Sequence, residues 1–302
     1  MTERRTRESS LTERARDYLA LTKPGIVRMC LVMTAGGMWL APEPSHWTVW
    51  IAVLIGSACA VASANAFNMV MEREGDRKMK RTRMRPLPTG RMAAWEANVF
   101  AGLLALASMV ILGFGTNWLT AGVALFALVS YTLVYTPLKR VTPLALVIGA
   151  VPGAIPPLLG WTAATNSLDL PGAVLFGILL VWQMPHFLAI AIFRKQDYAN
   201  AGILTVPVVR GETVAKVQAI AWALLLIPVS LALTPLGVTG NLYMGLALAM
   251  GLVFLGWTIK GLSSKEFESD VRWARQVFVL SLVYLPALTL ALVADLTWKA
   301  FF

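Results

Sequence analysis

Nine apolar stretches, each long enough to cross a membrane as a helix, constrain the fold of this chain more than any other feature. A helix needs roughly 20 apolar residues to span the hydrocarbon core of a bilayer. Within that core every backbone N–H and C=O must find a partner inside the protein, which only helices and closed barrels provide. The stretches occupy residues 22–42, 47–70, 93–114, 117–137, 143–163, 171–193, 214–234, 239–259 and 274–295. They predict an all-α fold, a polytopic membrane protein built as a bundle of nine transmembrane helices.

The distribution of charge predicts how these helices are oriented. The formal net charge of +10 would also fit a nucleic-acid-binding protein. Here, however, the Lys and Arg residues gather in short loops between the apolar stretches. If the N-terminus lies in the cytoplasm, all but one of the 26 Lys and Arg residues fall on the cytoplasmic side, and the exception is Lys299. The positive-inside rule therefore predicts a cytoplasmic N-terminus, an outer C-terminus, the lipid bilayer as surroundings and no nucleic-acid partner.

The chain divides into two parts of different character. Residues 1–18 are charged and polar, lack the apolar core of a secretory signal peptide, and predict a cytoplasmic tail. Residues 19–302 predict a single transmembrane domain. Cys30 and Cys59 stand inside apolar stretches without CxxC spacing, so they are predicted to be packing residues and not a disulfide or metal pair.

A ladder of oxygen-bearing side chains stands at the inner end of the second stretch. Asn68, Glu72 and Asp76 are four residues apart, so on a helix they rise about 6 Å per step along one face. Mg²⁺ favours carboxylate oxygens together with substrate phosphates. A salt-bridge ladder beside a membrane-anchoring loop is the other interpretation. The cations that follow outnumber the nearby acids, which favours a diphosphate ligand; they are Arg77, Lys78, Lys80, Arg81, Arg83 and Arg85.

Two further segments could face the same site. Lys139 and Arg140 end the fourth stretch, where they are either membrane anchors or contacts to the same anion. The fifth stretch contains glycines and prolines that prevent a straight helix, since proline lacks a donor and clashes with the preceding turn. Non-helical backbone at membrane depth must be buried in protein or line a cavity. This stretch is therefore predicted to form a wall of a chamber that opens to the cytoplasm; the residues are Gly149, Pro152, Gly153, Pro156 and Pro157.

Polar residues also interrupt the sixth stretch and begin the first. Gln183 and His186 are three residues apart on one face of a predicted helix, where the histidine is either a helix–helix hydrogen-bond partner or part of a cavity. Asp197 and Tyr198 follow in the inner loop, where they could supply a second metal ligand. In the segment TKPGIVR, Arg28 either snorkels to the membrane surface or faces the chamber.

Taken together, these segments resemble the intramembrane, UbiA-type prenyltransferase superfamily that includes the ubiquinone-pathway enzymes, and within it the protoheme IX farnesyltransferase branch. The resemblance covers roughly residues 20–215. Its carriers are LTKPGI from Leu21, the Asn68–Asp76 ladder running into RKMKRTRMRPLPTG, TPLKR, TPLALVIGAVPGAIPPLLGW, WQMPHF at Trp182–Phe187 and DYANAGILTVPVV at Asp197–Val209. Two departures stand out. Glu72 replaces the aspartate common in the superfamily, and the second acidic motif retains only Asp197, which fits the haem branch better than a complete second metal site.

The resemblance implies a reaction and its participants. A farnesyl group passes from farnesyl diphosphate to a vinyl group of haem b, giving haem o and diphosphate for haem–copper oxidase biogenesis. Haem b is a substrate and Mg²⁺ the only cofactor. The resemblance also implies a bacterial inner-membrane location, and a haem A synthase or terminal oxidase assembly as a partner.

The resemblance also implies roles for individual residues. Asn68, Glu72 and Asp76 hold Mg²⁺, with Asp197 as a further candidate metal ligand and Tyr198 beside it. The cations that neutralise the leaving diphosphate are Arg77, Lys80, Arg81, Arg85, Lys139 and Arg140. On the haem side, His186 ligates the iron or orients the porphyrin, unless its role is structural or proton-handling. The other candidate binding residues on this side are Lys23, Arg28, Trp182 and Gln183.

Two alternative functions remain open from the sequence. A quinone-type aromatic prenyltransferase shares the ladder, but WQMPHF and the sparse second acidic motif argue against it. A transporter would show charges near the membrane midplane and paired broken helices in its two halves. Here the polar residues crowd the inner ends, and only one span is strongly interrupted.

Overall fold

The structure is a computed structural model, and it describes residues 11–263 and 266–301, with the side chains of the last helix as far as Asp295. Regular secondary structure in these ranges is helical throughout, as predicted. Most of the predicted tail, residues 1–10, and the predicted inner-loop cation Lys265 lie outside the described residues. The α-helices are α1 (Leu11–Thr22), α2 (Pro24–Trp39), α3 (Trp47–Lys78), α4 (Pro86–Thr89), α5 (Ala94–Gly115), α6 (Trp118–Val129), α7 (Thr136–Leu138), α8 (Ala145–Gly153), α9 (Ile155–Thr165), α10 (Leu170–Phe193), α11 (Lys195–Asn200), α12 (Val206–Val209), α13 (Gly211–Leu231), α14 (Asn241–Ile259) and α15 (Phe267–Phe301).

The number of membrane-spanning helices agrees with the predicted bundle. Within the described ranges, eight spans are long and apolar enough to cross a membrane, and α1 with α2 makes a ninth if the bent pair is one span. Three of the eight combine several elements. One joins α6, a π-helical segment at Ser130–Tyr135 and α7, another joins α8 and α9, and the third joins α14 and a 3₁₀ turn at Lys260–Ser263.

The first span is bent close to residue 22, the predicted start of the first apolar stretch. α1 and α2 meet at an angle of 49°. Lys23 at the joint has φ 50° and ψ 70°, the left-handed conformation. Pro24 follows it, and a proline disfavours the right-handed helical conformation in the residue before it. The predicted boundary between tail and bundle, at residues 18 and 19, therefore falls inside α1.

The second span continues beyond its predicted end. α3 runs as one helix to Lys78, eight residues past the predicted boundary at residue 70. Asn68, Glu72 and Asp76 consequently lie on one continuous helix, as their spacing predicted. Residues 79–85 then fold back against the end of α3, because the Thr82 hydroxyl donates to the carbonyl oxygen of Asp76 over 3.0 Å.

The fifth span is interrupted as its prolines predicted. α8 ends at Gly153 and α9 begins at Ile155, with Ala154 between them. Pro156 and Pro157 stand in the first turn of α9, the part of a helix whose N–H groups have no intrahelical acceptor. The two short helices still form one membrane span.

Glycine lets α2 and α9 approach until their backbones touch. A Cβ atom on Gly160 would lie 1.9 Å from the carbonyl oxygen of Thr34, and a Cβ on Gly37 would lie 1.9 Å from that of Pro157. Such close approach through small residues is a common way to hold membrane helices together. The contact fixes α2, and with it the joint at Lys23, against the interrupted fifth span.

α10 is the most deeply buried span and lies at the centre of the larger apolar cluster. It packs against α9, α13 and α15. Hydroxyl groups join α3 to α5, since the Ser63 hydroxyl donates to the Ala101 carbonyl and the Ser108 hydroxyl donates to that of Gly56, each over 2.8 Å. Residues of α2, α3 and α10 line a common interior cavity of the bundle.

Candidate active site

A chamber of about 760 Å³ lies inside the bundle, and its two ends differ in chemistry. Its walls come mainly from α2, α3, the π-helical segment, α8, α9, α10 and α15. As predicted, the interrupted fifth span contributes to the wall, through Gly149, Pro152, Gly153 and Pro156. The polar end is lined by Lys23, Asn68, Glu72, Asp76, Arg81, Arg85, Lys139 and Tyr198. The rest of the lining is mostly apolar and includes Trp182, Gln183 and His186.

Both carboxylates of the ladder are paired with cations from other segments. Lys139 Nζ lies 2.8 Å from Glu72 Oε1, and Arg85 Nη1 lies 2.8 Å from Asp76 Oδ2. The Asp76 side chain is almost wholly buried. Lys139 arrives from the end of α7, and Arg85 from the loop that folds back over the end of α3. Cations and carboxylates therefore alternate in this end of the chamber, where an uncompensated charge would be costly.

Asn68 is held in the same way by a cation and a hydroxyl. Its Oδ1 accepts from Lys23 Nζ over 3.1 Å, and its Nδ2 donates to Thr136 Oγ1 over 3.2 Å. The left-handed joint between α1 and α2 places Lys23 in this position. Each of the three ladder residues thus meets one cation, and the three cations come from three separate parts of the chain.

Lys139 is central to this end of the chamber. Its Nζ lies 4.3 Å from the centroid of the Tyr135 ring, within the range of a cation–π contact. Burial lowers the pKa of Lys139, but the Glu72 carboxylate outweighs that effect, and the pKa is raised above its ordinary value. The backbone carbonyl of Lys139 accepts from the N–H of Leu204 over 2.8 Å. That bond joins the inner loops that follow the fourth and sixth predicted spans.

The oxygen donors suit Mg²⁺ that is shared with a substrate. Two carboxylates and one amide oxygen stand in line on α3, and these are the atoms Mg²⁺ prefers. Among the described residues no three His, Cys, Asp or Glu side chains converge closely enough to hold a metal ion by themselves. Mg²⁺ commonly binds through one or two carboxylates plus substrate phosphates. The donor set fits that arrangement, with Asn68, Glu72 and Asp76 as the protein's contribution.

Three predicted residues on the surface do not line the chamber. Arg28 and Lys80 are exposed to the surroundings of the protein. Arg77 is also exposed, and its guanidinium donates to Glu74 Oε2 over 2.9 Å on the outer face of α3. Arg77 and Lys80 follow the ladder in sequence, and Arg28 begins the first span, but position along the chain does not decide which side of the bundle each residue faces.

Two other predicted residues lie close by but outside the chamber. Arg140 rests against α3 at Gly75, where a Cβ atom would lie 2.8 Å from its Nη2. Asp197 is in α11, and its carboxylate lies 3.7 Å from Arg194 Nη1. The structure does not bring Asp197 to the ladder. Its neighbour Tyr198 does line the chamber, and burial raises the pKa of that phenol.

At the apolar end, two side chains of α10 are fixed by α15. Trp182 and His186 are one turn apart, and their rings stack with centroids 5.0 Å apart at 25°. The Trp182 indole N–H donates to the Ser281 carbonyl over 3.0 Å, and His186 Nδ1 lies 2.7 Å from the Ser281 hydroxyl. Gln183 faces α8, where its Nε2 donates to the Ala150 carbonyl over 2.9 Å. Its amide is therefore used in joining helices.

Sequence reasoning missed several residues of this site. Thr136 and Tyr135 belong to the YTPLKR segment, which was singled out for its cations alone. Ser281 carried no signal, because a lone serine in an apolar stretch is unremarkable and its partner is 95 positions away. The pairing of Lys23 with Asn68 depends on the bend between α1 and α2, which was not predicted.

Comparison with known proteins identifies close relatives along the whole chain. The model of the UbiA prenyltransferase family matches residues 30–293. A protein of Myxococcus xanthus (strain DK1622) named protoheme IX farnesyltransferase is 45% identical over 289 residues, which cover 96% of this chain and 97% of the relative. One of the same name from Anaeromyxobacter sp. (strain Fw109-5) is 42% identical over 288 residues, which cover 95% and 96%.

Solved structures share the fold at lower sequence identity. The structure of a digeranylgeranylglyceryl phosphate synthase matches with a TM-score of 0.77 at 19% identity, over 93% of this chain and 99% of the other. A UbiA homolog from Archaeoglobus fulgidus, bound to GPP and Mg²⁺, matches with a TM-score of 0.66 at 17% identity, over 91% and 99%. The helical bundle described above is therefore shared with both proteins.

Proposed function

This chain belongs to the UbiA prenyltransferase family, and we propose that it transfers a farnesyl group from farnesyl diphosphate to a vinyl group of haem b. The relatives named protoheme IX farnesyltransferase support these substrates, because they align along nearly the entire chain. The observation that carries the proposal is the two-ended chamber, with a charged end beside a long apolar body. A prenyl diphosphate has the same division, an anionic head and an apolar chain.

In the proposed reaction the charged end receives the diphosphate. The bond between C1 of the farnesyl group and the diphosphate oxygen breaks, and the diphosphate leaves with the electron pair. Arg81, Arg85 and Lys139 line this end and would stabilise the charge as it develops, the contribution that usually dominates such catalysis. Lys23 adds a fourth cation from the joint of the first span.

Asn68, Glu72 and Asp76 are the proposed protein ligands of Mg²⁺, which supplies charge neutralisation to the diphosphate when bound. The family neighbour from Archaeoglobus fulgidus was solved with GPP and Mg²⁺, which supports a metal ion in this role. The ladder carboxylates now face Lys139 and Arg85. Binding of a metal-bound anion would allow the carboxylates to turn to the metal and the cations to turn to the phosphates.

The apolar body of the chamber is the proposed place of carbon–carbon bond formation. There the vinyl group of haem b bonds to C1 of the farnesyl group, and the positive charge moves to the porphyrin side chain. Water then adds its oxygen to the positively charged carbon of that porphyrin side chain and releases a proton, giving the hydroxyethylfarnesyl group of haem o. The surrounding apolar side chains would keep water from the allylic cation until the vinyl carbon has reacted.

We also propose a location and orientation for the protein. The relatives are bacterial, which supports a bacterial inner membrane. The concentration of Lys and Arg at the end of the bundle that holds the ladder supports a chamber open to the cytoplasm. A haem A synthase or a terminal oxidase assembly would then receive the product. Alkaline phosphatase fused after residue 302 should be active only if the C-terminus lies outside, so an inactive, well-expressed fusion would reverse the orientation.

The test of the function is product analysis. The full chain is expressed in a bacterium whose own haem O synthase gene has been deleted, and its haems are extracted and identified by mass. We expect haem o in cells with the native chain and none in cells with the Glu72→Gln variant at equal membrane abundance. Haem b alone in both strains would contradict the proposal. Purified protein given farnesyl diphosphate with haem b or with an aromatic acid separates the proposal from the quinone-type alternative.

A further inference from the structure

The side chain of His186 is held in place by two ring contacts and a hydrogen bond. Its ring stacks on Trp182 and lies 4.9 Å, centroid to centroid, from the ring of Phe278 at 35°. Its Nδ1 meets the hydroxyl of Ser281 over 2.7 Å. Ser281 is wholly buried, and it accepts on its carbonyl oxygen from Trp182. Ser281 of α15 thus holds both Trp182 and His186 of α10 in place.

The hydrogen bonds around Ser281 favour one tautomer of His186. A serine hydroxyl has a single proton. The Ser281 hydroxyl donates that proton to the carbonyl oxygen of Phe278 over 2.6 Å. With its proton on that carbonyl, the Ser281 oxygen is free to accept from His186, an arrangement in which Nδ1 carries the hydrogen. In a neutral imidazole the other nitrogen, Nε2, then has a free lone pair.

That lone pair belongs to a residue that lines the chamber. His186 is 8% exposed and forms part of the chamber wall. In the part of the chain that the structure describes, no hydrogen-bond donor meets Nε2. The neighbouring lining is apolar and includes Phe187, Ile190 and Leu282. Because Nδ1 is engaged by Ser281 and the ring lines the chamber, Nε2 is suited to a ligand that enters the chamber and brings its own partner.

We propose that Nε2 of His186 ligates the iron of the haem b substrate, and that Ser281 is the positioning residue that sets the ring's tautomer and orientation. The inference rests on the proposed function for the identity of the ligand. Imidazole nitrogen is a good ligand for iron, and a haem is a flat apolar molecule that fits an aromatic wall. A hydrogen-bond acceptor at the distal ring nitrogen also makes the ligating nitrogen more basic, and its loss typically weakens metal binding roughly 10- to 100-fold.

The experiment measures haem binding without farnesyl diphosphate, so that no turnover is needed. The purified full-length protein in detergent is titrated with haem b, and the reduced complex is examined by resonance Raman spectroscopy for the iron–histidine stretch. We expect His186→Ala to abolish this band. Ser281→Ala should retain a band at lower frequency and bind haem about tenfold more weakly. Ser281→Thr keeps the hydroxyl and should restore the native frequency.

A matched control separates positioning from packing. Ser108 is as fully buried as Ser281 and donates to the Gly56 carbonyl of α3, but it has no contact with His186, and neither Ser108 nor Gly56 lines the chamber. Ser108→Ala removes the same oxygen atom and should leave the band and the affinity unchanged. If Ser281→Ala does not fold, Ser281→Cys replaces it, because its thiol is a weaker acceptor and should give a smaller shift in the same direction.

The outcomes distinguish this inference from the proposed function. An unchanged band in His186→Ala, or equal bands in the Ala and Thr variants of Ser281, overturns the inference even if haem o is formed. In that case a proton-handling role for His186 would have to account for any loss of activity. A band that changes as expected supports the inference even if the native chain forms no haem o, a result that would contradict the proposed function alone.

Discussion

Lys139 Nζ lies 2.8 Å from Glu72 Oε1, although the two residues are separated by 67 positions in the chain. The contact joins the end of the fourth span to the ladder on α3. Both side chains are largely buried, so neither charge could persist there without the other. The contact therefore balances two buried charges inside the proposed diphosphate site.

Neutralising Glu72 should abolish transfer without affecting insertion into the membrane. Glu72→Gln keeps the size of the side chain but removes the charge that pairs with Lys139 and would hold Mg²⁺. We expect the rate of farnesyl transfer to fall roughly 100-fold or more, as for other losses of a contact to developing charge. The measurement is haem o formation per amount of purified protein.

Glu74 provides the matched control on the same helix. Its side chain is 58% exposed and, among the described residues, forms ion pairs with Arg73 and Arg77 on the outer face of α3. Glu74→Gln should retain nearly native activity. Equal activity of the Glu72→Gln and Glu74→Gln variants would contradict the proposed role of the ladder in binding the metal-bound diphosphate.

Removal of Mg²⁺ should stop turnover and leave haem binding intact. The ladder contributes two carboxylates and an amide, which are too few to hold a metal ion without the diphosphate. We therefore expect EDTA to abolish product formation, and added Mg²⁺ to restore it in the same sample. Undiminished turnover in EDTA would argue against metal-assisted diphosphate chemistry.

Two arginines of one loop should differ in their effect on the diphosphate substrate. Both side chains are exposed, but Arg81 lines the chamber and Arg83 lies outside the lining. Arg81→Ala should raise the KM for farnesyl diphosphate and lower kcat, because a cation near the leaving group is lost. Arg83→Ala should change both values less than about twofold, as expected of an exposed charge. If steady-state kinetics showed a larger effect for Arg83→Ala than for Arg81→Ala, the proposed position of the diphosphate would have to be revised.

Adjacent glycines of α2 should respond in opposite directions to alanine. A Cβ on Gly37 would lie 1.9 Å from the Pro157 carbonyl oxygen, whereas a Cβ on Gly36 meets nothing within 4 Å. Gly37→Ala should destabilise the protein by about 1–3 kcal/mol or more, since α2 and α9 must separate. Gly36→Ala should be neutral or stabilising by up to about 1 kcal/mol, because alanine favours the helix. Thermal unfolding in detergent, followed by size-exclusion chromatography, compares the two variants.

The sequence predicted the elements better than their joints. Apolar length and the spacing of the ladder were sufficient for the spans and for the helix carrying Asn68, Glu72 and Asp76. The bend at Lys23 was missed because a short amphipathic helix before a proline has the composition of a membrane-adjacent tail. The end of the second apolar stretch was placed at residue 70 because hydropathy falls where the ladder begins, although α3 continues to Lys78.

Within the site, residue type and position in the sequence identified candidates but could not show which of them face the chamber. Arg81 and Arg85 reach the chamber while Lys80 does not, because residues 79–85 turn back on α3 through a hydroxyl of Thr82. The partnership of His186 with Ser281 depends on how α10 and α15 are aligned. No local pattern encodes that alignment. Predictions about contacts between distant segments therefore required the packed bundle.

Through the left-handed joint at Lys23, the position of α1 affects the proposed active site, although no described residue of α1 lines the chamber. Arg14 is bonded to Glu96 over 3.1 Å, and Asp17 is bonded to Arg91 over 3.0 Å, so α1 is braced from outside against the region where α5 begins. Through the joint, that brace sets where the ammonium group beside Asn68 stands. Grafting the chamber lining alone into a related bundle would therefore leave one cation misplaced. The transplant would have to include α1 and its two surface anchors.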